Sequence, residues 1–156
     1  MKLHSLLDED LVLPRLGARD RDGILREMAA GLESRPKAVF GGGLLNMLQK
    51  REELGTTAIG HGVAIPHCRV KDLQSPVLLL GLSKKGVHFG AVDGKPSHVF
   101  FLLVSPEDNP GAGLRLLAAI AALTRESRML ASKLLKAATA ADVLKTLRAE
   151  EEKTRA

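Results

Sequence analysis

The sequence Val-Phe-Phe-Leu-Leu-Val at residues 99–104 is an unbroken apolar run with the length of a β-strand. Continuous apolar character, rather than alternation with polar residues, is typical of a strand covered on both faces. A second run of this kind, Val-Leu-Leu-Leu-Gly-Leu, occupies residues 77–82. Shorter segments of β-forming residues lie at 56–59, 63–65 and 87–89. These segments predict one sheet in the middle of the chain.

Helical patterns flank these strands on both sides in the sequence. Residues 20–34 place apolar side chains on one helical stripe with Asp20 as a candidate N-cap, and a second stripe begins at Leu44 after a run of three glycines at 41–43. Further stripes follow at 114–122 and 130–135, and Thr139 with Asp142 resembles a capping box that opens a last helix. The order of elements therefore predicts an α/β fold with helices on both faces of a central sheet.

Length and composition limit the class of protein. The chain has 156 residues with 23 Lys+Arg and 18 Asp+Glu, a formal net charge of +5. We expect one domain over residues 1–156, with a core at about 5–149 and a frayed tail from Glu150 to Ala156. No apolar run approaches the roughly 18–20 residues that cross a bilayer, and a single cysteine fits a reducing cytoplasm. We therefore expect a cytoplasmic protein that is not inserted in a membrane.

The excess of positive charge does not predict nucleic-acid binding. Basic and acidic residues are interspersed, and the chain has four Phe, no Trp and no Tyr to stack on bases. A basic surface that docks an acidic protein stays open as an interpretation.

The segment Gly-Thr-Thr-Ala-Ile-Gly-His-Gly-Val-Ala-Ile-Pro-His-Cys-Arg at residues 55–69 differs from the rest of the chain. Pro66 has a fixed φ and restricts Ile65 to extended geometry, so the backbone largely sets the direction of the following His67. A neutral imidazole at cytoplasmic pH has one nitrogen with a free lone pair. Because a nucleophile must be aimed, this arrangement indicates His67 as a phosphoryl acceptor.

Other residues of this region are candidates to bind the phosphoryl oxygens. Thr56 and Thr57 carry hydroxyl donors, Gly60 and Gly62 leave backbone N–H groups accessible, and Arg51 offers a planar guanidinium. Which nitrogen of His67 attacks depends on what binds the other one. This chemistry requires neither a cofactor nor a metal.

The segment 55–69, preceded by Arg51-Glu52, resembles the phosphorylation-site signature of enzyme IIA domains of the fructose/mannitol type, from the bacterial phosphoenolpyruvate-dependent phosphotransferase system. The resemblance is strongest to the nitrogen-regulatory IIA proteins and extends to Phe-Gly-Ala-Val-Asp at 89–93 and to the strand at 101–104. It implies a mixed sheet flanked by helices. It also implies that His67 accepts a phosphoryl group and that Arg51 lies near it.

The same resemblance implies the partners. The donor would be a phosphorylated HPr or a nitrogen-type HPr, and the acceptor would be a IIB component or a regulatory target protein. We take the nitrogen-type regulatory role as the first interpretation. A sugar-specific IIA of the fructose/mannitol type, and a non-catalytic regulatory module with weakened transfer, stay open as alternatives.

The chain departs from the pattern of the family at three positions. Gly113 stands where these proteins usually carry a second active-site histidine, Cys68 where a glycine is usual, and His61 where nitrogen-type proteins often have Asn. His61 is either an auxiliary residue beside His67 or an exposed turn residue between two glycines. Cys68 is either a redox-sensitive thiol or a small residue that fills space. A metal site built on His61 and His67 would lack a complete ligand set.

Overall fold

The computed structural model describes residues 2–35 and 42–154. In this part of the chain, six strands and five α-helices follow two short 3-10 helices at Leu3–Leu6 and Glu9–Leu11. The strands are β1 (Val12–Leu13), β2 (Ala58–Gly60), β3 (Val63–Ala64), β4 (His67–Val70), β5 (Val77–Val87) and β6 (Ser97–Pro106). The helices are α1 (Arg21–Glu33), α2 (Leu44–Glu53), α3 (Pro110–Glu126), α4 (Leu130–Leu135) and α5 (Ala140–Lys153).

The strands form one mixed sheet, as predicted, but β1 and β4 were not predicted. The predicted segment at 87–89 is not a separate strand, because β5 continues to Val87 and ends there. Its order is β1-β5-β6-β3-β2, and β4 also pairs with β6. The long strands β5 and β6 are antiparallel, whereas β3 and β4 both run parallel to β6. Val63 pairs with Val99 and His67 pairs with Leu103, so β3 and β4 follow each other along the same edge of β6. Residues 65–66 join them at this edge.

Helices cover both faces of the sheet. Gly81 of β5 faces α1, because a Cβ added at Gly81 would lie 2.9 Å from Met28 Cε. Gly81 pairs with Phe100 of β6, so Phe100 points to the same face. Ser105, also on β6, contacts Gly113 of α3. Because Phe100 and Ser105 are an odd number of residues apart on one strand, they point to opposite faces. The six apolar residues at 99–104 are all buried between these layers, which confirms the predicted architecture.

The helix starts follow the predicted caps. Asp20 accepts a hydrogen bond from the N–H of Gly23 (2.7 Å), and Thr139 accepts one from the N–H of Asp142 (3.1 Å). Gly43 precedes α2 with φ of 87°, a conformation that favours glycine. The first residue of the glycine run, at position 41, lies outside the described residues.

The C-terminal end differs from the expectation of a frayed tail from Glu150. Helix α5 continues to Lys153, and Glu150 and Glu151 are both buried. The Glu151 carboxylate accepts hydrogen bonds from the backbone N–H groups of Leu3 (2.7 Å) and His4 (2.8 Å). The tail is packed at residues 150–153 because Glu151 holds the N-terminal 3-10 helix and Glu150 accepts hydrogen bonds from Ser127 and Lys133. Residues 155–156 lie outside the described part of the chain.

Among the described helices, none is both long enough and apolar enough to cross a membrane.

Candidate functional site

The half-buried imidazole of His67 stands at the first residue of β4. Its position is set by β6, because His67 pairs with Leu103 and the N–H of Leu103 donates to the carbonyl of Pro66 (2.9 Å). The His67 Nδ1 atom lies 2.7 Å from the carbonyl oxygen of Ile65. A carbonyl can only accept, so Nδ1 carries the proton and Nε2 keeps its lone pair. The sequence left open which nitrogen of the ring is occupied, and this contact occupies Nδ1 and leaves Nε2 free.

The surroundings of His67 favour the neutral ring. Burial is the main cause that lowers the pKa of His67 below its ordinary value of 6.5, and the positive charges of Arg51 and Arg69 lower it further. The Ile65 carbonyl and the negative charge of Glu52 act in the opposite direction without reversing the shift. The imidazole is therefore uncharged at neutral pH, as nucleophilic attack requires.

Arg51 lies in the last turn of α2, where its Nη1 donates to the carbonyl of Gly55 (3.0 Å). The side chain is half-buried, and its charge acts on His67. The structure therefore brings together these two residues, which are 16 positions apart in the sequence. One bond to a backbone carbonyl leaves other N–H groups of the guanidinium for an anion.

Arg69 is a second cation that the sequence analysis missed. It lies two residues after His67 on β4, so both side chains leave the same face of the strand. Arg69 is exposed, and its charge also acts on His67. The period of two in a strand could have identified it, once residues 67–70 were read as a strand.

A chain of hydrogen bonds connects α2 to the imidazole. The buried Glu52 carboxylate accepts from the backbone N–H of Thr57 (2.8 Å) and from its hydroxyl (2.7 Å). The carbonyl of Thr57 accepts from the N–H of Ile65 (2.9 Å), and the carbonyl of Ile65 accepts from His67. These contacts hold the helix that carries Arg51 against the segment that carries His67.

The expectation that Thr56 and Thr57 donate hydroxyl hydrogens to a phosphoryl group needs correction. The hydroxyl of Thr56 donates to the carbonyl of Phe89 and accepts from the N–H of Ala58 (3.0 Å). The hydroxyl of Thr57 donates to Glu52, and Thr57 is buried. A hydroxyl has one hydrogen to donate, so both are already committed to internal bonds. The two threonines hold the walls of the site in place.

The turn at residues 60–62 lies at the other end of the β2–β3 hairpin from His67. Gly62 accepts from the N–H groups of His98 and Val99, whereas His67 pairs with Leu103. Five residues of nearly extended chain separate Gly62 from His67, about 16 Å. Gly60 and Gly62 adopt left-handed φ values of 88° and 78° because the tight turn needs them. This separation argues against direct contact of their N–H groups with a phosphoryl group on His67.

His61 is an exposed residue of this turn, and its backbone N–H donates to Asp93 Oδ2 (3.3 Å). It belongs to the second of the two interpretations drawn from the sequence. The same separation excludes a metal site shared by His61 and His67. Within residues 2–35 and 42–154, no three His, Cys, Asp or Glu residues cluster as metal ligands would.

Cys68 points away from the face that carries His67, since neighbouring residues of a strand alternate. Its side chain is buried, and burial raises the pKa of the thiol to about 12. The thiolate is the reactive form, so this environment favours the space-filling interpretation over a redox-sensitive thiol.

Gly113 packs against Ser105 on the face of the sheet that also carries His67. A Cβ at position 113 would lie 2.7 Å from Ser105 Oγ and 3.0 Å from Ser105 Cβ. A larger residue at 113 therefore requires Ser105 to move. The backbone of α3 approaches β6 more closely here than a histidine at this position would allow.

Comparison with known proteins places this chain in a family. Residues 5–150 match the family described as "Phosphoenolpyruvate-dependent sugar phosphotransferase system, EIIA 2". A nitrogen regulatory protein of Bradyrhizobium diazoefficiens is 35% identical over 130 residues, which cover 81% of this chain and 82% of that protein.

Two further relatives agree with this match. The crystal structure of the nitrogen regulatory protein IIA-Ntr from Neisseria meningitidis superposes with a TM-score of 0.80 at 26% identity, and the match covers 93% of this chain and 98% of that one. The fructose-specific EIIABC component of Bacillus subtilis is 27% identical over 123 residues, which are 79% of this chain but 19% of that longer protein.

Proposed function

This chain belongs to the EIIA 2 family of the phosphoenolpyruvate-dependent sugar phosphotransferase system, and we propose that it carries a phosphoryl group on Nε2 of His67. The family and the nitrogen-regulatory relatives support a phosphoryl carrier of the nitrogen-type regulatory class. The observation that carries the assignment to His67 is the contact of its Nδ1 with the Ile65 carbonyl. It leaves one uncharged nitrogen with a lone pair on a half-exposed ring.

The proposed donor is a phosphorylated HPr-like protein. The lone pair of Nε2 forms a bond to the phosphorus as the phosphorus–nitrogen bond of the donor's phosphohistidine breaks, and the donor's ring regains its lone pair. Positive charge then develops on the His67 ring while Nδ1 keeps its proton. The Ile65 carbonyl and the nearby Glu52 carboxylate stabilise this charge, because both favour the positively charged ring.

Arg51 and Arg69 are proposed to stabilise the phosphoryl oxygens. Phosphoryl transfer between two imidazoles is catalysed mainly by positioning and by charge stabilisation. Two guanidinium groups whose charges both reach His67 supply this charge without a metal.

A labelling experiment tests the proposal. The chain is incubated with enzyme I, HPr and phosphoenolpyruvate labelled with ³²P in its phosphoryl group. We expect an acid-labile label on the wild type and on His61→Gln, which changes an exposed histidine far from the site, and no label on His67→Gln. An unlabelled wild type, or equal labelling of His67→Gln, would contradict the assignment.

The partner experiment separates regulation from sugar transport. A sugar-specific role, suggested by the likeness to the Bacillus subtilis fructose component, requires transfer of the label from His67 to a fructose-type IIB domain. A nitrogen-type role predicts faster labelling by a nitrogen-type HPr than by a sugar-type HPr, with the label retained in the presence of IIB. A non-catalytic module, the third interpretation, predicts no labelling by either donor.

A further inference from the structure

Four basic side chains line a cleft of about 330 Å³ between the segment after β1 and the middle of β5. The cleft is lined by Arg15, Leu16, Gly17, Ala18, Arg19, Ser83, Lys84 and Lys85. Arg15, Arg19, Lys84 and Lys85 are all exposed. The lining contains no carboxylate. We call this surface the basic cleft, and we propose that it docks a carboxylate-rich segment of a partner protein.

The backbone that carries Arg15 and Arg19 is held in place. The N–H of Leu16 donates to the carbonyl of Leu82 (2.8 Å), which extends the pairing between β1 and β5. The Leu16 side chain packs directly against Gly81, because a Cβ added at Gly81 would lie 2.9 Å from Leu16 Cδ1. The two arginines therefore flank an anchored residue, and their backbone positions do not need to be ordered when a partner binds.

One carboxylate of α1, that of Glu27, is bound to backbone N–H groups of the cleft itself. Glu27 accepts hydrogen bonds from the backbone N–H groups of Gly17 (3.0 Å) and Ala18 (2.9 Å). Asp20, which follows Arg19, caps α1 through the N–H of Gly23. Across the described ranges, no carboxylate lies within ion-pair distance of the four cations of the basic cleft. Their charges are therefore available to an external anion.

The uncompensated charge indicates the chemistry of the occupant. Four positive charges around one cleft repel one another, and an anionic partner relieves this repulsion and is attracted over about a Debye length. Two exposed arginines elsewhere are paired with carboxylates, Arg26 with Asp22 and Arg148 with Glu152, whereas the four cations gathered around this cleft have no such pair among the described residues. The four cations of this cleft contribute to the net charge of +5, and they are different residues from the two arginines near His67.

Exposure favours a protein segment over a small molecule. Small-molecule sites bury most of the ligand and are lined mainly by apolar side chains, with few polar groups. Here four of the eight lining residues are basic, and these four side chains are exposed at the surface. Exposed complementary charges instead speed the association of two proteins and select the correct partner.

The basic cleft lies away from His67. Lys84 follows Leu82, which pairs with Val99, whereas His67 pairs with Leu103 on the other side of β6. The basic cleft and His67 are separated by four residue steps along β6, about 13 Å, and by two strand spacings across the sheet, about 10 Å. A partner bound at the basic cleft therefore leaves the imidazole open to a phosphoryl donor. The proposal does not depend on the proposed function of His67.

The probe for this surface is a fluorescein-labelled peptide of ten glutamates, and binding is measured by fluorescence anisotropy at about 50 mM and about 300 mM salt. The cleft variant is Arg19→Glu with Lys85→Glu. The control variant is Arg125→Glu with Lys145→Glu, which changes two exposed cations outside the cleft and alters the net charge equally. Circular dichroism and thermal unfolding check that both variants fold.

We expect the cleft variant to bind the peptide about tenfold more weakly than wild type at low salt, and the control variant to lose less than about threefold. His67→Gln should bind as wild type does. Equal weakening in the two double variants would overturn the proposal, because it would show that net charge alone attracts the peptide. Displacement of the peptide by tripolyphosphate at a lower concentration than by unlabelled pentaglutamate would assign the cleft to phosphate ligands and also overturn it.

Discussion

The Glu52 carboxylate binds both the backbone N–H and the hydroxyl of Thr57, at 2.8 Å and 2.7 Å, and both residues are buried. This pair joins the last turn of α2 to the strand segment that continues, through Ile65, to His67. Arg51 precedes Glu52 on the same helical turn. The pair therefore sets the position of the guanidinium relative to the imidazole, although neither member of it need touch a phosphoryl group.

Glu52→Gln should destabilise the fold. An amide offers one acceptor oxygen, whereas Thr57 presents two donors, so one donor loses a charged acceptor in a buried place. We expect a decrease in the free energy of unfolding of about 1–3 kcal/mol, measured by urea denaturation. Glu53→Gln, at the neighbouring exposed position, is the control and should change stability by less than about 0.5 kcal/mol. Equal free energies of unfolding for the two variants would show that the Glu52–Thr57 pair does not stabilise the fold.

The His67 ring should titrate at a lower pH than an ordinary histidine. Burial disfavours the imidazolium, and so do Arg51 and Arg69. Nitrogen-15 NMR of the ring should show the tautomer with the proton on Nδ1, and a titration midpoint below 6.5. The resonance is assigned by its loss in His67→Gln. A midpoint above 6.5, or a proton on Nε2, would contradict the assignment of the nucleophile.

The same lowered pKa predicts how stability depends on pH. Because the folded-state pKa of His67 lies below the unfolded value, the unfolded chain binds more protons in the window between them, and the free energy of unfolding rises with pH there. This contribution is complete above about pH 6.5 and is lost as the pH falls through the folded-state pKa. Urea denaturation at about pH 5.5 and 7.5 should therefore show a larger loss on acidification for wild type than for His67→Gln. A larger loss for the variant would reverse the predicted sign.

Arg51→Gln and Arg69→Gln should each slow phosphoryl transfer to His67. Removal of one preorganised donor from such a site costs about hundredfold to thousandfold in rate, which single-turnover quench-flow with phosphorylated HPr would measure. Each change should also raise the pKa of His67, because a positive charge near the ring is lost. Arg19→Gln, in the basic cleft, is the control and should leave rate and titration unchanged. A wild-type rate for Arg69→Gln would exclude Arg69 from the site.

Gly113→Ala should destabilise the fold, whereas Gly111→Ala on the same helix should not. A methyl group at 113 would meet Ser105 Oγ at 2.7 Å, and overpacking of this kind costs about 1–3 kcal/mol. At 111 the neighbour is the flexible end of the Arg115 side chain at 3.2 Å, which can move aside. Alanine also lowers the backbone entropy of the unfolded chain, so the free energy of unfolding should rise by about 0.4–1 kcal/mol. Thermal unfolding compares the two variants. Similar melting temperatures would show that the contact with Ser105 relaxes freely.

The main elements of the fold could be predicted from local patterns. Apolar runs at 77–82 and 99–104, and the caps at Asp20 and Thr139, depend on periodicity and on side chains that bond to nearby backbone. The C-terminal end could not be predicted in this way. Glu150 and Glu151 read as a solvated charged tail, but their partners include Leu3, His4 and Ser127, which are far away in the sequence.

The candidate site was predicted in part. Pro66 and the extended segment before it indicated that His67 is rigidly held, and the structure adds the contact that assigns the proton to Nδ1. Thr56, Thr57, Gly60 and Gly62 were placed at the phosphoryl group because they are close to His67 in sequence. The extended chain through β3 separates Gly62 from His67 by the length of a short strand, and the two hydroxyls had better partners nearby.

The amino-acid sequence by itself indicated the two long strands, the five described α-helices, the rigid approach to His67, and the resemblance that names the family. Those features depend on bonds and steric limits within a few residues. Only the tertiary structure decided that Arg69 shares a face with His67, that Glu52 is buried against Thr57, and that four cations meet in the basic cleft. Charge and hydrogen bonding act between atoms that folding brings together, and their distances follow from strand pairing rather than from spacing along the chain.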